Sequence, residues 1–251
     1  MSRSSRPGVT IVSPHFDDAP LSLGQSLLDG PLARCRVRVL VVFGRTNWTR
    51  WFFPGPGRAP AVSAWRRCEE TVASVAFGYS VRVDGWEEMI LRTGERDPEV
   101  LRDAAADPAS DPLVDELLPT LRRLRGSGDV VLFPAGIGDH LDHRLVATAG
   151  ARLAAEHDDH LGFYEDRPYV SHLTPAQREE QVGRLGLDLV PHDASGPVTA
   201  AVHRRLRRCY PSQISGEFLD AMSTDLAAGA RERVWLPAGP TPPWLQPRGA
   251  R

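Results

Sequence analysis

Short apolar runs alternate with helix-like segments through the first two thirds of the chain. The strand-like runs are residues 9–12, 37–43, 81–83, 129–134 and 162–164, and the helix-like segments are residues 21–28, 61–77, 113–124 and 141–156. Continuous apolar strands separated by helices are typical of a parallel sheet that is covered on both faces. The sequence therefore predicts an α/β fold, a Rossmann-like three-layer sandwich with a mostly parallel central sheet.

The remaining segments give weaker patterns. Three Asp-Pro pairs within residues 94–112 predict a loop, because the residue before proline avoids the helical conformation. After residue 168 only helices near 175–185, 203–208 and 216–228 are predicted. With no internal repeat or linker, we expect one domain over residues 1–251, with loosely ordered ends at 1–7 and 237–251.

Composition excludes several classes of protein. The formal net charge of −2 is a poor match to nucleic acid, and all 30 basic residues are Arg, which excludes mechanisms that need a lysine. Cys35, Cys68 and Cys209 form no metal-binding or disulfide pattern and are expected to be reduced thiols. No apolar run is long enough to cross a membrane. These features predict a cytoplasmic protein with no membrane and no nucleic-acid partner; the oligomeric state is left open.

Two short polar segments follow predicted strands and carry the chemistry. The first is Ser13-Pro14-His15-Phe16-Asp17-Asp18, after the first strand. His15 and Asp18, three residues apart on a tight turn, can converge on one metal ion, whereas Asp17 must point elsewhere and suits a general base.

The second segment is Gly138-Asp139-His140-Leu141-Asp142-His143, after the strand at 129–134. Since ligands of open α/β sheets bind beyond the carboxyl ends of strands, the two segments are expected to meet. His143 would complete a set of two His and one carboxylate, typical of hydrolytic zinc. His140 would face the same cleft, and Asp142 would orient one of the imidazoles.

The two segments resemble the motifs of the PIG-L/LmbE-like zinc N-deacetylases. The first motif of that family reads (A/S)HPDDE or, in one branch, PHLDDA, and the second reads GxHxDH. Residues 14–19 follow the PHLDDA branch and residues 138–143 follow the second motif. Weaker similarities are the RxxE pattern at 66–69 with the Phe-Gly pair at 77–78, segment 88–92, the Phe-Tyr-Glu-Asp run at 163–166 with the Pro-Tyr pair at 168–169, and the Tyr-Pro-Ser-Gln run at 210–213. The resemblance covers about residues 8–215.

The resemblance implies a site and an activity. His15, Asp18 and His143 would hold Zn²⁺, with Fe²⁺ or another divalent metal as an alternative, and Asp17 would be the general base. His140 would stabilise the oxyanion, in its protonated form, or protonate the leaving amine. Arg66 would contact a sugar, and Arg92 is a second expected substrate-binding residue.

Three positions depart from the family pattern. Phe16 replaces the usual Pro or Leu, and Ala19 replaces a Glu of the main branch. Gly138 stands where some members have a Tyr that donates to the oxyanion. The last departure places more of the oxyanion stabilisation on the metal and His140.

The expected function is a metal-dependent hydrolase. It would remove an N-acetyl or other N-acyl group from an amino sugar or related metabolite, cleaving a linear amide in a small-molecule substrate. One alternative is a non-catalytic α/β module that binds a metal or ligand. Another is a Rossmann-type nucleotide-sugar enzyme such as a glycosyltransferase, although no GxGxxG follows the first strand.

Overall fold

The computed structural model of the chain describes residues 6–51, 56–95, 101–125, 130–156 and 160–246. The strands are β1 (Gly8–Ser13), β2 (Arg36–Val41), β3 (Ser80–Val83), β4 (Val130–Pro134), β5 (Leu161–Tyr164), β6 (Leu189–Pro197) and β7 (Arg231–Pro237). The helices are α1 (Asp18–Asp29), α2 (Ala59–Phe77), α3 (Met89–Thr93), α4 (Pro112–Arg125), α5 (Leu141–Ala155), α6 (Pro175–Gly183), α7 (Ala200–Cys209) and α8 (Gly216–Ala228).

The described strands form one sheet in the order β3-β2-β1-β4-β5-β7-β6. The first five of these strands are parallel, β7 runs antiparallel to β5, and β6 runs antiparallel to β7. The sheet grows outward from β1 in both directions, so the strand order reverses between β1 and β4. Ligands of open α/β sheets bind at such a switch point.

Both faces of the sheet are covered by apolar side chains. On β2, Val37, Val39 and Val41 pack in one buried cluster, whereas Leu40 packs in the other. Successive side chains of a strand point to opposite faces, so the two clusters lie on opposite sides of the sheet. This arrangement confirms the predicted three-layer α/β fold with a mostly parallel sheet.

The sequence-based elements differ from the structure mainly after residue 168. The antiparallel strands β6 and β7 were not predicted, and neither was the short helix α3. Strand β6 lies at the sheet edge and contains Pro191, His192 and Asp193, residues that an edge strand tolerates and an apolar pattern does not reveal.

The C-terminal segment is packed more closely than the sequence predicted. Trp244 and Leu245 are buried in the core, in contrast to the expected loose tail, whereas residues 1–5 and 247–251 lie outside the described residues.

Cys35 and Cys209 are buried free thiols and Cys68 is an exposed one. None of the helices in the described part of the chain has the length and apolar character that a membrane crossing requires.

Candidate active site

The two predicted motifs meet at the switch point between β1 and β4. His15 lies in the turn between β1 and α1, and His140 and His143 lie at the start of α5. The ring centroids of His15 and His140 are 5.0 Å apart, and the ring of His143 is 5.2 Å from each of them. The fold therefore brings His15 next to two imidazoles that are more than a hundred residues away in sequence.

Three of the predicted side chains form a group that can hold a metal ion. Oδ2 of Asp18 lies 3.3 Å from Nδ1 of His15 and 3.4 Å from Nε2 of His143. The potential ligand atoms of the three residues lie within 4.8 Å of one another. Nε2 of His143 is buried and has no hydrogen-bond partner, which is costly unless another group binds it. This donor set and its orphaned nitrogen fit a divalent cation such as zinc.

A second grouping of His15, His140 and Asp142 fits a metal less well. Both oxygens of Asp142 already accept hydrogen bonds, Oδ1 from Arg92 at 2.7 Å and Oδ2 from the backbone N–H of Met89 at 2.9 Å. Oδ2 also contacts Nε2 of His15 at 2.9 Å. Asp142 is therefore occupied as a partner of His15, which leaves Nδ1 of His15 available.

Each of the two imidazoles in the candidate metal group is oriented by a carboxylate on its other nitrogen. His15 Nε2 contacts Asp142, and His143 Nδ1 lies 2.7 Å from Oδ1 of Asp166. Burial opposes protonation of both rings, but these contacts and Asp18 raise the pKa of His15 to about 9 and that of His143 to about 10. Carboxylates in this position fix the ring and make its free nitrogen a better ligand.

Asp166 was missed as a functional residue. It follows β5, the neighbour of β4, and its Oδ2 accepts the backbone N–H of Ile137 at 2.9 Å. A carboxylate directly after an apolar strand, on the side of the sheet where the motifs lie, was the available signal. The sequence could not show which imidazole it would reach.

Asp17, the predicted base, is buried, lines the cavity and is not a member of the candidate metal group. Its Oδ1 accepts a hydrogen bond from Nη2 of Arg66 at 2.9 Å. Burial raises the pKa of Asp17 above its ordinary value, the charge of Arg66 opposes that rise, and the neighbouring Asp18 adds to it. A carboxylate with a raised pKa is suited to accept a proton and return it near neutral pH.

His140 begins α5 as its N-cap residue. Its Nδ1 accepts the backbone N–H of Asp142 at 3.3 Å, so the proton of the neutral ring is on Nε2. Burial and the nearby His15 and His143 lower the pKa of His140 well below its ordinary value. The structure thus favours a neutral ring, in contrast to the protonated His140 expected from the sequence.

A cavity of about 260 Å³ opens onto these residues. It is lined by the metal-group and base residues His15, Asp17 and Asp18, and by Trp48, Arg50, Arg66, Glu88, Met89, Ile90, Leu101, Arg102, His140, Asp142, Tyr169, Gln213, Ser215, Glu217 and Phe218.

The two predicted substrate-binding arginines are placed differently. Arg66 lines the cavity, but its Nη2 donates a hydrogen bond to Asp17. The carbon of its guanidinium lies 5.4 Å from the centre of the Phe16 ring. Arg92 is not among the described residues that line the cavity; it lies behind Asp142, to which it donates. This placement favours an indirect role for Arg92, through Asp142.

Tyr169 lines the cavity and packs closely against Gly138. Gly138 has φ of +91°, and a Cβ on it would lie 2.3 Å from the Cβ and Cγ atoms of Tyr169. The ring of Tyr169 in turn lies 5.6 Å from that of His143. Because Gly138 of the second motif has no side chain, it leaves room for the ring of Tyr169.

Part of the aromatic segment 45–60 adjoins the site. Trp48 lines the cavity, and Trp51 packs edge-on against Trp65 with 47% of its surface exposed. Phe52 and Phe53 lie outside the described residues.

Two curated deacetylases are similar to this chain along almost its whole length. The chain is 30% identical to a 2'-N-acetylparomamine deacetylase of Streptomyces fradiae, over 99% of this chain and 94% of the relative. It is 27% identical to a 2'-N-acetylparomamine deacetylase of Niallia circulans, over 93% and 92% of the two chains. No protein-family model matches the chain.

Two solved structures share the fold. A deacetylase from the teicoplanin biosynthesis pathway, in complex with teicoplanin, matches with a TM-score of 0.64 and 20% identity, over 91% of this chain and 97% of the other. The N,N'-diacetylchitobiose deacetylase of Pyrococcus horikoshii matches with a TM-score of 0.50 and 15% identity, over 89% and 76%. With its motifs joined at one site and a deacetylase relative along almost its whole length, the chain belongs to the PIG-L/LmbE-like N-deacetylase family and is an enzyme of that family.

Proposed function

We propose that this enzyme hydrolyses the N-acetyl group of an amino sugar, with zinc held by His15, Asp18 and His143 and with Asp17 as the general base. The observation that carries the proposal is the group of three ligand atoms with the orphaned Nε2 of His143. Two members of the group, His15 and Asp18, line the same cavity as the buried carboxylate of Asp17. The substrate class is supported by the two relatives that deacetylate 2'-N-acetylparomamine.

In this proposal the metal activates the carbonyl and the water, and carboxylates orient the residues that would hold it. When bound, zinc supplies a Lewis acid that polarises the amide carbonyl and acidifies water. Asp142 and Asp166 hold the two imidazoles so that Nδ1 of His15 and Nε2 of His143 are free to bind it. Burial opposes the ionisation of Asp142, but its contact with His15 and, to a smaller extent, the charge of Arg92 hold the pKa of Asp142 below its ordinary value.

The chain's own residues move the protons. Asp17 accepts a proton from the attacking water as the new C–O bond forms at the carbonyl carbon. Nε2–H of the neutral His140 donates a hydrogen bond to the developing oxyanion, an interaction typically worth about 3 to 4 kcal/mol. When the C–N bond breaks, Asp17 returns its proton to the departing nitrogen, which leaves a free amine and acetate.

The test combines metal analysis with product detection. Purified protein is analysed for zinc and iron, and free amine is measured after incubation with 2'-N-acetylparomamine and with N-acetylglucosamine. We expect bound zinc and amine release in the wild type. Asp17→Asn should retain the metal and lose activity by at least about 100-fold, whereas Asp220→Asn, an exposed carboxylate on α8, should match the wild type. A protein that takes up no metal, or an active Asp17→Asn variant, would contradict the proposal.

A further inference from the structure

A short turn between α7 and α8 carries a polar side chain to the cavity. The turn comprises residues 210–215, and two of its residues, the half-buried Ser215 and the buried Gln213, line the cavity. Gln213 is 95% buried at its place in the wall, since only 5% of its surface is exposed. Neither the metal group nor the proposed proton transfers use it.

The turn is fixed from the neighbouring helix α2 by Glu69. Oε1 of Glu69 accepts the backbone N–H of Ser212 at 2.8 Å, and Oε2 accepts the Ser212 hydroxyl at 2.5 Å. Because a carboxylate can only accept, the single hydroxyl proton of Ser212 is committed to Glu69. Oγ of Ser212 can then only accept from its other neighbours.

Because the Ser212 hydroxyl donates to Glu69, its oxygen determines the orientation of the Gln213 amide. Nε2 of Gln213 donates to Oγ of Ser212 at 2.8 Å and to the backbone oxygen of Trp48 at 3.4 Å. Both of these partners are acceptors, so they require the nitrogen of the amide rather than its oxygen. In the described part of the chain no donor reaches Oε1 of Gln213, which is therefore left as the acceptor that this residue can offer to the cavity.

We propose that Gln213 is a substrate-binding residue whose amide oxygen accepts a hydrogen bond from a hydroxyl or ammonium group of the acylated amino sugar. The inference rests on the proposed function and names a contact within the same site. Ser212 and Glu69 are positioning residues in this view, since they hold the amide with its oxygen outward. A substrate that covers this oxygen without offering it a hydrogen-bond donor would bind more weakly. The contact therefore selects for polar sugars.

The test is a comparison of KM and kcat in three variants. Gln213→Leu removes the acceptor and keeps a side chain of similar size. Ser212→Ala leaves Gln213 intact but frees its amide to turn. Ser223→Ala, an exposed serine on α8, is the matched control. Each variant is assayed with N-acetylglucosamine and with 2'-N-acetylparomamine, and its zinc content is measured.

We expect Gln213→Leu to raise KM about 5- to 10-fold with kcat changed less than about 3-fold, because a contact made equally in ground and transition states affects KM alone. Ser212→Ala should raise KM by a smaller factor, and Ser223→Ala should match the wild type. A rise with both probes identifies a hydroxyl as the donor. A rise with 2'-N-acetylparomamine alone assigns the donor to the part of that substrate, with its ammonium groups, that N-acetylglucosamine lacks.

Other results would overturn the inference. An unchanged KM in Gln213→Leu with an active wild type contradicts this contact and leaves the proposed function standing. A loss of kcat together with bound zinc shows a structural role instead. If the wild type hydrolyses neither probe, the proposed function fails for them, and binding is then compared by saturation-transfer NMR. Weaker binding of a probe by Gln213→Leu supports the contact, whereas equal binding, or none by the wild type, overturns it.

Discussion

The guanidinium of Arg66 donates a hydrogen bond to the carboxylate of Asp17 over 2.9 Å, with only 4% and 7% of the two side chains exposed. Arg66 comes from the middle of α2, whereas Asp17 ends the turn after β1. The sequence suggested that Arg66 contacts a sugar. In the structure the residue lines the cavity and also holds the proposed base in place, so it has two roles to test.

Replacing Arg66 by Gln is expected to move the acid limb of the pH–activity profile to higher pH. Burial raises the pKa of Asp17 and the charge of Arg66 opposes the rise, so removal of that charge raises the pKa further. A higher pH is then needed to ionise the base. We expect kcat/KM at neutral pH to fall on the order of 10- to 100-fold. The measurement is kcat/KM between pH 5 and 9, with the exposed neighbour Arg67→Gln as control. An unshifted acid limb would argue that Arg66 does not act through Asp17.

Replacing Asp166 by Asn is expected to weaken metal binding by about 10- to 100-fold. The backbone N–H of Ile137 requires an acceptor and would retain the amide oxygen, which turns the amide nitrogen toward Nδ1 of His143. Nδ1 must then accept, so the ring proton moves to Nε2, the nitrogen that would bind the metal.

The affinity of Asp166→Asn is measured by competition with a chelating dye, and the exposed Asp188→Asn serves as control. Equal zinc affinity in the two variants would show that Asp166 does not set the tautomer of His143.

Replacing Glu70 by Gln is expected to change how stability depends on pH. Glu70 is fully buried, and burial raises its pKa to about 8 although Tyr210 and Tyr79 donate to it. In the unfolded chain the carboxyl ionises near its ordinary pKa of about 4.5. The unfolded state therefore loses this proton first as the pH rises, and the wild type loses stability between about pH 4.5 and 8.

The Gln side chain cannot ionise and reproduces the neutral carboxyl: its oxygen can accept from Tyr79, and its nitrogen can donate to Tyr210. Relative to Glu70→Gln, the wild type should lose on the order of 2 to 4 kcal/mol from pH 5 to 8. Urea denaturation at pH 5, 6.5 and 8 measures the difference, with the exposed Glu180→Gln as control. A difference that stays constant with pH would mean that Glu70 is ionised in the folded protein.

Replacing Gly138 by Ala is expected to destabilise the protein by about 1 to 3 kcal/mol and to lower activity. The new Cβ would lie 2.3 Å from Tyr169, and the φ of +91° is one that alanine rarely adopts. Since Tyr169 lines the cavity, its displacement changes the site as well as the fold. Chemical denaturation measures the loss, with Gly183→Ala, whose Cβ would meet no atom within 4 Å, as control. Equal stability of the two variants would contradict the clash.

The metal group could be predicted from sequence because each of its residues stands beside a strand. His15 and Asp18 follow β1, and His143 follows β4, so strand patterns alone placed both motifs at one edge of a parallel sheet. The outer strand β6 had no comparable signal, since an antiparallel edge strand tolerates polar residues and proline.

The sequence by itself determined the fold class, the family and the residue types of the site, because strand periodicity and motif spacing are local properties of the chain. Only the tertiary structure decided which partner each of these residues has. The contacts of His15 with Asp142, of Asp17 with Arg66 and of Ser212 with Glu69 join residues 127, 49 and 143 positions apart. Such contacts depend on how helices and strands pack in space, and they set the ring tautomers, the pKa of Asp17 and the direction of the Gln213 amide.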